Sequence, residues 1–228
     1  MGGQILVEEE ASAESTQQAE IDQLSTFQYC VIKRTFDLLL AAVGLPFCVL
    51  IGAPVALAIR FSSPGPIFYR EYRLGQYGKH FRIWKFRTMY TKDTQRRQLQ
   101  KAAHTGFEFR STHKHLCDPR ITSVGRVLRR WSIDELPQII NVLKGEMSFI
   151  GPRPIVDAER QFYDQDFRYY CMVRPGLSGL WQVSGRNNLG YKERVDLDRQ
   201  YTQDWSLALD LVILSKTFCA VMSAHGAY

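Results

Sequence analysis

The sequence lacks a recognisable cysteine site. There are five cysteines in 228 residues, an odd number without any C-x-x-C pair. This pattern argues against a disulfide framework and for a reducing compartment. A zinc site on His113, His115 and Cys117 would lack a fourth ligand at a suitable spacing, which favours a solvated loop there. The five cysteines are Cys30, Cys48, Cys117, Cys171 and Cys219.

The first 32 residues contain no lysine or arginine, although the chain as a whole is basic. The formal net charge is +6, and this stretch holds six acidic residues, so the remaining chain carries +12. Residues 1–28 are polar and rich in Ala, Ser and Gln, which predicts a disordered acidic tail. Its charge has the wrong sign for a signal peptide. The basic remainder indicates an anionic partner, and nucleic acid, anionic lipid and a nucleotide-sugar all meet that description.

Charged residues are also absent between Leu38 and Ile59. The interval has the length needed to cross the hydrocarbon core of a bilayer, about 20 residues, which predicts a membrane helix within residues 29–61. A buried core helix is the alternative. Basic residues flank the interval on both sides, as cytoplasmic flanks do, so we expect a hairpin that enters and leaves through one leaflet. The chain breakers available for the bend are Gly44, Pro46, Gly52 and Pro54.

The region after the apolar segment shows strand and helix patterns. Residues 67–69 and 81–89 are typical of two strands joined by a turn at 75–78. Lys85 and Arg87 then share one face of the second strand, because side chains alternate along a strand, although two solvated cations would show the same spacing. An amphipathic helix is predicted over residues 155–170 and a helix over 191–205. A further helix with apolar residues at helical spacing is predicted from residue 207 onward, in the membrane interface.

The central stretch of the chain joins two carboxylates to a helix start. Asp134 and Glu135 follow Ser132 and precede apolar residues at helical spacing. The helix macrodipole favours ionised carboxylates at an N-terminus. Adjacent helical residues point about 100° apart, so we expect one carboxylate to attack while the other holds a metal ion or a proton. A capping box with surplus acid is the structural alternative. The apolar residues are Leu136, Ile139, Ile140 and Leu143.

Groups suited to phosphate surround this acidic pair. Three arginines precede it, Gly151–Pro154 follows it, and a glycine-rich segment, Arg174–Asn187, comes later. Arginine forks bind phosphate oxygens bidentately, and backbone amides exposed by glycine add further donors. Carboxylates beside a phosphate clamp indicate phosphoryl transfer. The three arginines are Arg126, Arg129 and Arg130.

Several short motifs stand in one order along the chain. They are Lys33-Arg-x-Phe-Asp37, Lys85-Phe-Arg-Thr-Met89, Asp118-Pro-Arg120, Asp134-Glu-Leu-Pro-Gln138, Gly145-Glu-Met-Ser148, Gly151-Pro-Arg-Pro154, Arg174-Pro-Gly176 and Gly185-Arg-Asn187. With these motifs the chain, from about Lys33 onward, resembles the bacterial sugar transferases that move a hexose-1-phosphate onto polyprenyl phosphate, the small monotopic phosphoglycosyl transferases. The segment Tyr201–Ser206, followed by an apolar helix, resembles the galactosyl-1-phosphate members of exopolysaccharide synthesis.

The resemblance implies an α/β protein, mostly helical with a small β-hairpin, held in one leaflet by a re-entrant membrane helix and by interfacial amphipathic helices. Residues 62–228 would form a catalytic domain on the cytoplasmic side of the bacterial inner membrane. The implied substrates are a UDP-hexose and undecaprenyl phosphate, with UMP released. Membrane lipid is an implied partner, nucleic acid is not, and a homodimer stays open. The family breaks its membrane helix at a Ser-Pro pair, whereas this chain has Val49-Leu50 there.

The resemblance also assigns roles to individual residues. Asp134 would attack the sugar-proximal phosphate as the nucleophile, and Glu135 would bind Mg²⁺. For Asp210 the alternative to a site role is a solvated helix flank. The substrate-binding residues implied by the resemblance are Lys85, Arg129, Pro152, Arg153, Pro154, Arg186 and Asp210.

Two other classes of function remain open. Asp196 and Asp198 form a D-x-D pair, the metal motif of conventional nucleotide-sugar glycosyltransferases, although the surrounding charges are typical of a helix surface. Such an enzyme would release UDP and would not need Asp134. A non-catalytic membrane adaptor would bind anionic lipid or a polymerase partner through its basic face. It would depend on the apolar segment rather than on the acidic pair.

Overall fold

Helix α1 is the longest element of the fold and comprises the 29 residues of Arg34–Ser62. The structure is a computed structural model that describes residues 28–96, 118–185 and 188–222. The predicted acidic tail up to residue 27 and the zinc candidates between 113 and 117 lie outside these ranges. A π-helical turn, Gln28–Lys33, leads into α1. The segment is helical along its whole length, with Pro46 and Pro54 inside it, and a re-entrant bend stays a prediction.

One narrow stripe of α1 packs against the rest of the protein. A Cβ atom at Gly44 would lie 3.6 Å from Ile139, and one at Gly52 would lie 3.4 Å from Phe86, so the glycines let the helix approach the body closely. The stripe recurs every third or fourth residue and consists of Asp37, Ala41, Gly44, Cys48, Gly52, Val55 and Ile59.

The other faces of α1 are apolar and open. Leu50 and Phe61 are 72% and 84% exposed, and many other apolar side chains of α1 are also exposed. The helix is long and apolar enough to cross a membrane, and only 6% of its most hydrophobic window is buried. A helix with this much open apolar surface is not the core helix of a soluble domain, so that alternative is wrong.

Strands β1, Phe68–Leu74, and β2, His80–Phe86, form the predicted antiparallel hairpin. Phe68 lies opposite Phe86 at the open end, and Leu74 lies opposite His80 next to the turn. Because strand side chains alternate, Phe81, Ile83 and Lys85 share the face of β2 that points towards the body. Phe81 and Ile83 are buried in the core with Ala41 of α1 and Val142.

Arg87, just after β2, fixes the end of α1. Its guanidinium donates to the carbonyl oxygens of Ile59, Ser63 and Pro64 at 3.3, 2.7 and 2.5 Å. A helix C-terminus leaves carbonyl groups without helical partners and carries a partial negative charge, so a cation stabilises it. Arg87 is only 6% exposed, and the alternative of a solvated cation is wrong at this position.

The acidic pair lies in a short 3-10 helix rather than at the start of an α-helix. Helix α2, Ser123–Arg130, is followed by the 3-10 helix Ile133–Gln138 and then by helix α3, Ile139–Lys144. Ser132 between them has φ 54° and makes no side-chain cap, so the predicted capping box is wrong. This left-handed residue turns the chain between α2 and the acidic pair. The predicted α-helical spacing therefore begins only at Ile139.

Two short parallel strands, β3 at Ser148–Ile150 and β4 at Gly176–Ser178, lie on either side of the phosphate-clamp candidates. A Cβ atom at Gly176 would lie 2.2 Å from the Gly151 nitrogen. The Gly176 amide donates to the Pro152 carbonyl at 2.8 Å. Gly176 therefore permits close backbone packing, and its amide is bonded to the protein rather than free to bind a phosphate.

Four helices complete the fold. The single helix predicted over 155–170 is wrong, because two 3-10 helices, Asp157–Phe162 and Asp164–Asp166, come before α4. The predicted helices near residues 191–205 and from residue 207 are confirmed, as is the mostly helical fold with a small hairpin. The four helices are α4, Phe167–Met172; α5, Leu180–Ser184; α6, Tyr191–Gln203; and α7, Leu207–Met222.

Candidate active site

Glu135 of the acidic pair is bound to strand β2. Lys85 of β2 donates from Nζ to Glu135 Oε1 at 2.7 Å, and the two side chains are 21% and 28% exposed. Asp134 precedes Glu135, and a 3-10 helix has three residues per turn, so the two carboxylates point about 120° apart. The geometry therefore separates them, with Glu135 paired to the lysine and Asp134 on another face of the turn.

The two carboxyl groups differ in acidity. Burial raises the pKa of Asp134 to about 6; the negative charge of Glu135 adds to the rise, and Lys85 and Arg129 oppose it. Burial also acts to raise the pKa of Glu135, but the positive charges of Lys85 and Arg153 outweigh it and hold that pKa below its usual value. Near neutral pH both groups are mainly ionised, and Asp134 is the more basic carboxylate. That property suits a nucleophile.

Arg129 reaches the acidic pair from α2. Its Nε donates to Thr88 Oγ1 at 2.9 Å, just beyond the end of β2. Residue 125 is a glycine where α2 crosses this segment, and a Cβ atom there would lie 2.1 Å from the Thr88 carbonyl oxygen. The Thr122 Oγ1 caps α2 by accepting from the Gly125 amide at 2.8 Å. The position of Arg129 near Asp134 therefore depends on close packing of α2 against Thr88.

The Pro152-Arg153-Pro154 motif divides into structural and charged parts. Pro152 and Pro154 are buried, and their carbonyl oxygens accept from the Gly176 amide at 2.8 Å and from Arg73 at 3.5 Å. Arg153 is half-buried, and its charge is one of those that lower the pKa of Glu135. The prolines shape the loop, and Arg153 supplies its charge to the site.

A narrow cleft opens beside the Lys85–Glu135 pair. It brings together four predicted site residues, Lys85, Glu135, Arg153 and Pro154. Sequence reasoning missed two further residues of the cleft, Arg73 and Gln138. For Gln138 a signal was present, because it ends the motif Asp134-Glu-Leu-Pro-Gln138, three residues after Glu135.

Asp210, another predicted site residue, lies in a buried polar cluster. Lys33 donates to Asp210 Oδ2 at 2.7 Å, and Trp205 Nε1 donates to the same oxygen at 3.2 Å. Lys33 also lies 3.8 Å from Asp37 of α1. Asp210 is fully buried, so the solvated-flank alternative is wrong, and these contacts tie α7 to the start of α1. Arg186 lies outside the described residues.

The D-x-D pair does not form a metal site. Asp196 and Asp198 lie two residues apart on α6, so they point to nearly opposite sides of the helix. Asp198 is 2% exposed and accepts from the Tyr163 hydroxyl at 2.7 Å, and burial raises its pKa to about 7. Asp196 lies 3.3 Å from Arg199 instead. Asp196 and Asp198 therefore do not provide the pair of metal ligands that the conventional glycosyltransferase hypothesis requires.

A metal ion at Glu135 would have few protein ligands. Within the described residues, no group of three or more His, Cys, Asp and Glu side chains could hold a metal ion. Mg²⁺ commonly binds one or two carboxylates and completes its shell with water and substrate phosphates. The ionised Glu135 beside Asp134 fits that mode, although Lys85 already occupies Glu135 Oε1, so an ion would use the other oxygen.

Comparison with known proteins decides the family. A profile of the bacterial sugar transferases matches residues 28–224. The chain belongs to that family. Exopolysaccharide production protein ExoY of Rhizobium meliloti (strain 1021) is 46% identical to it over 202 residues, which cover 86% of this chain and 88% of the relative. The family predicted from the motifs is confirmed, and the chain is an enzyme, so the adaptor alternative is wrong.

Longer relatives of this sugar transferase carry more specific names. The undecaprenyl-phosphate galactose phosphotransferase of Salmonella typhimurium (strain LT2) is 42% identical over 202 residues, which cover 86% of this chain and 42% of the relative. The UDP-glucose:undecaprenyl-phosphate glucose-1-phosphate transferase of Escherichia coli (strain K12) is 37% identical over 206 residues, covering 87% of this chain and 42% of the relative. The chain spans less than half the length of these two proteins.

Proposed function

We propose that this sugar transferase moves a hexose-1-phosphate from a UDP-hexose to undecaprenyl phosphate and releases UMP. The observation that carries the proposal is the Lys85–Glu135 ion pair beside Asp134, with the charges of Arg129 and Arg153 acting on the two carboxylates. Cations around a nucleophilic carboxylate suit attack on a phosphate, since they offset the negative charge of both reactants. The names of two relatives support galactose as the hexose.

The proposed reaction consists of two displacements at one phosphorus atom. A carboxylate oxygen of Asp134 attacks the phosphorus that bears the sugar. The bond from that phosphorus to the bridging oxygen breaks, and UMP leaves with the electron pair. An oxygen of undecaprenyl phosphate then attacks the same phosphorus, the bond to Asp134 breaks, and the carboxylate is restored.

The neighbours of Asp134 have separate tasks in this scheme. Arg129 and Lys85 oppose the rise in the Asp134 pKa and so keep the nucleophile ionised near neutral pH. Arg153 would bind a phosphate oxygen of the donor, because a guanidinium matches phosphate geometry. Glu135 would hold Mg²⁺, which when bound supplies positive charge to the diphosphate as UMP departs.

The packing of α1 supports an active site at the membrane surface. The helix touches the body along its length, through Ala41, Gly52 and Ile59, whereas a helix perpendicular to the body would leave it after a few turns. Gly52 contacts Phe86, and the preceding residue, Lys85, binds Glu135. The site therefore lies close to the apolar helix. We place α1 in one leaflet of the bacterial cytoplasmic membrane, with the catalytic domain facing the cytoplasm.

Cysteine labelling tests this topology. Thr35 and Ser62 are exposed residues at the two ends of α1. Each is replaced singly by cysteine in a variant without the native cysteines, and the protein is labelled with an impermeant maleimide. We expect both positions to react in inverted membrane vesicles. Reaction of one position only from the periplasmic side would show that the helix spans the membrane.

Nucleotide release tests the reaction. Detergent-held protein is incubated with UDP-galactose, Mg²⁺ and undecaprenyl phosphate, and UMP is separated from UDP. We expect UMP, none of it from Asp134→Asn, and near-parental amounts from the matched control Asp196→Asn. Retained UMP release by Asp134→Asn would show that another group is the nucleophile. UDP as the product would exclude phosphosugar transfer, and competition with UDP-glucose identifies the preferred hexose.

A further inference from the structure

We propose that Gln138 is a substrate-binding residue that donates a hydrogen bond to a hydroxyl group of the transferred hexose. This inference rests on the proposed function, and it assigns the Gln138 end of the cleft beside Lys85 and Glu135 to the sugar.

The side-chain amide of Gln138 is buried, and its nitrogen lacks a full set of hydrogen-bond acceptors. Gln138 is 2% exposed, yet its Nε2 atom has no hydrogen-bond partner within the described part of the chain. Buried polar groups are almost always hydrogen-bonded, so such a donor indicates a ligand. The amide lies near enough to Glu135 to help lower the pKa of that carboxyl. An amide nitrogen carries two hydrogens, so one donor remains even when the other turns towards Glu135.

The 3-10 helix determines where this donor points. Residues three apart in a 3-10 helix lie on the same side, so Gln138 lies one turn below Glu135. Both side chains line the cleft that contains Lys85. In an α-helix the same two residues would be offset by about 60°. The 3-10 geometry therefore places a neutral amide directly behind the ion-paired carboxylate.

The chemistry of this part of the cleft favours a sugar over a phosphate. The cations of the cleft, Arg73, Lys85 and Arg153, suit a phosphate, but the negative charge of Glu135 repels phosphate oxygens at the position of the Gln138 amide. A hydroxyl group both donates and accepts, so it matches a carboxylate and an amide nitrogen side by side. Leu177, which is half-buried, also lines the cleft and provides apolar surface for C–H groups of the hexose.

The first test removes the donor while keeping the size of the side chain. We expect Gln138→Met to lower kcat/KM for UDP-galactose about tenfold, the effect of losing one hydrogen bond to the substrate. The melting temperature should fall only slightly, because the variant loses the contribution of the amide to the Glu135 carboxyl and no other described acceptor. Gln161→Met, at an exposed glutamine outside the cleft, is the matched control. A lower melting temperature with unchanged kcat/KM in both Gln138→Met and Gln138→Leu would assign the amide to structure and overturn the proposal.

The second test identifies the hydroxyl group. UDP-galactose analogues that each lack one hydroxyl are compared on the parent and on Gln138→Met. For one analogue we expect the kcat/KM of the parent to fall about tenfold and that of the variant to fall little. The missing hydroxyl and the missing amide are the two ends of one hydrogen bond, so removing the second has little further effect. Equal losses on every analogue by both proteins would show that Gln138 contacts no sugar hydroxyl.

A binding measurement separates this proposal from the proposed reaction. Titration calorimetry compares UDP-galactose with UDP on Asp134→Asn and on Asp134→Asn/Gln138→Met, neither of which can turn over by the proposed route. We expect the added Gln138→Met substitution to weaken the binding of UDP-galactose about tenfold and to leave the binding of UDP unchanged. That difference would support a hexose site even if the parent released no UMP. Equal effects on both ligands, or none on either, would overturn the assignment of Gln138.

Discussion

Lys85 and Glu135 form a 2.7 Å ion pair between strand β2 and the 3-10 helix, and its two charges act in opposite directions on Asp134. Glu135 adds to the rise in the Asp134 pKa that burial causes, and Lys85 reduces it. Besides burial, the acidity of Asp134, the proposed nucleophile, therefore depends on the next residue in the chain and on one 49 positions before it.

The pH dependence of the enzyme should follow from this arrangement. Activity needs the Asp134 carboxylate, so kcat/KM should fall as the pH drops below about 6. Glu135→Gln removes a negative charge beside Asp134 and should move this fall in kcat/KM to lower pH. Lys85→Met removes a positive charge and should move the fall to higher pH. Initial rates of UMP release across the acid range measure both shifts. Asp196→Asn is the control, and shifts of the same sign in both site variants would contradict the assignment.

Asp134→Asn should make the protein more stable while it removes activity. The folded-state pKa of Asp134 is raised from 3.8 to about 6, so the folded protein favours the protonated form. Ionisation then lowers the free energy of unfolding as the pH rises from about 4 to about 6. We expect Asp134→Asn to raise the melting temperature by about 2–4 °C above pH 6, with no gain below pH 4.

Substitution of the neighbouring Glu135 should change the melting temperature in the opposite direction, so it serves as the control. The pKa of Glu135 is held below its usual value, so its ionised form stabilises the fold, and this contribution is lost as the pH falls through that lowered pKa. Glu135→Gln should therefore lower the melting temperature at pH 7. Thermal unfolding of both variants in detergent, at several pH values, tests the pair, and a rise for Glu135→Gln would contradict the assigned acidities.

Gly125→Ala should disturb the active site from a distance. The added methyl group would lie 2.1 Å from the Thr88 carbonyl oxygen, so α2 must shift. We expect a loss of about 1–3 kcal/mol in stability and a lower kcat, because α2 also carries Arg129. The matched control is Ser123→Ala at an exposed position of the same helix. Unchanged melting and activity in Gly125→Ala would show that this contact is not close in solution.

Lys33→Met should be strongly destabilising. It leaves Asp37 and Asp210 buried without their shared cation, in a place where the side chains of Lys33 and Asp210 are 1% and 0% exposed. Removal of one partner of a buried ion pair costs about 3–5 kcal/mol. Melting temperature and yield in detergent measure the loss. The double variant Lys33→Met/Asp210→Asn should recover part of it, and a further additive loss would contradict the pairing.

Local sequence signals predicted the parts of the site that short stretches of chain determine. Strand alternation predicted one shared face for Lys85 and Arg87, and the resemblance assigned Lys85 to the site. Adjacent positions in a helical turn predicted that the carboxylates of Asp134 and Glu135 point apart. The hairpin followed from two apolar strand segments around a glycine turn. These features depend on neighbours within a few residues, which is why the sequence shows them.

The features that differ from the sequence-based predictions depend on packing between residues far apart in the chain. The burial of Asp210 depends on Lys33 at the other end of the chain, and the buried state of Arg87 depends on the end of α1. The φ of 54° at Ser132 replaces the expected cap by a sharp turn, and no local pattern favours that conformation for a serine. The glycine at 176 is explained only by the approach of residue 151.

The buried pair of Lys33 and Asp210 also imposes an order on folding during synthesis. The two residues are 177 positions apart, and a ribosome adds about 5–20 residues per second, so Lys33 waits roughly 10–35 seconds for its partner. During that time the lysine precedes an apolar helix with no buried counter-charge, and we expect its ammonium group to stay among the lipid headgroups. The start of α1 can therefore complete its packing only after α7 has left the ribosome.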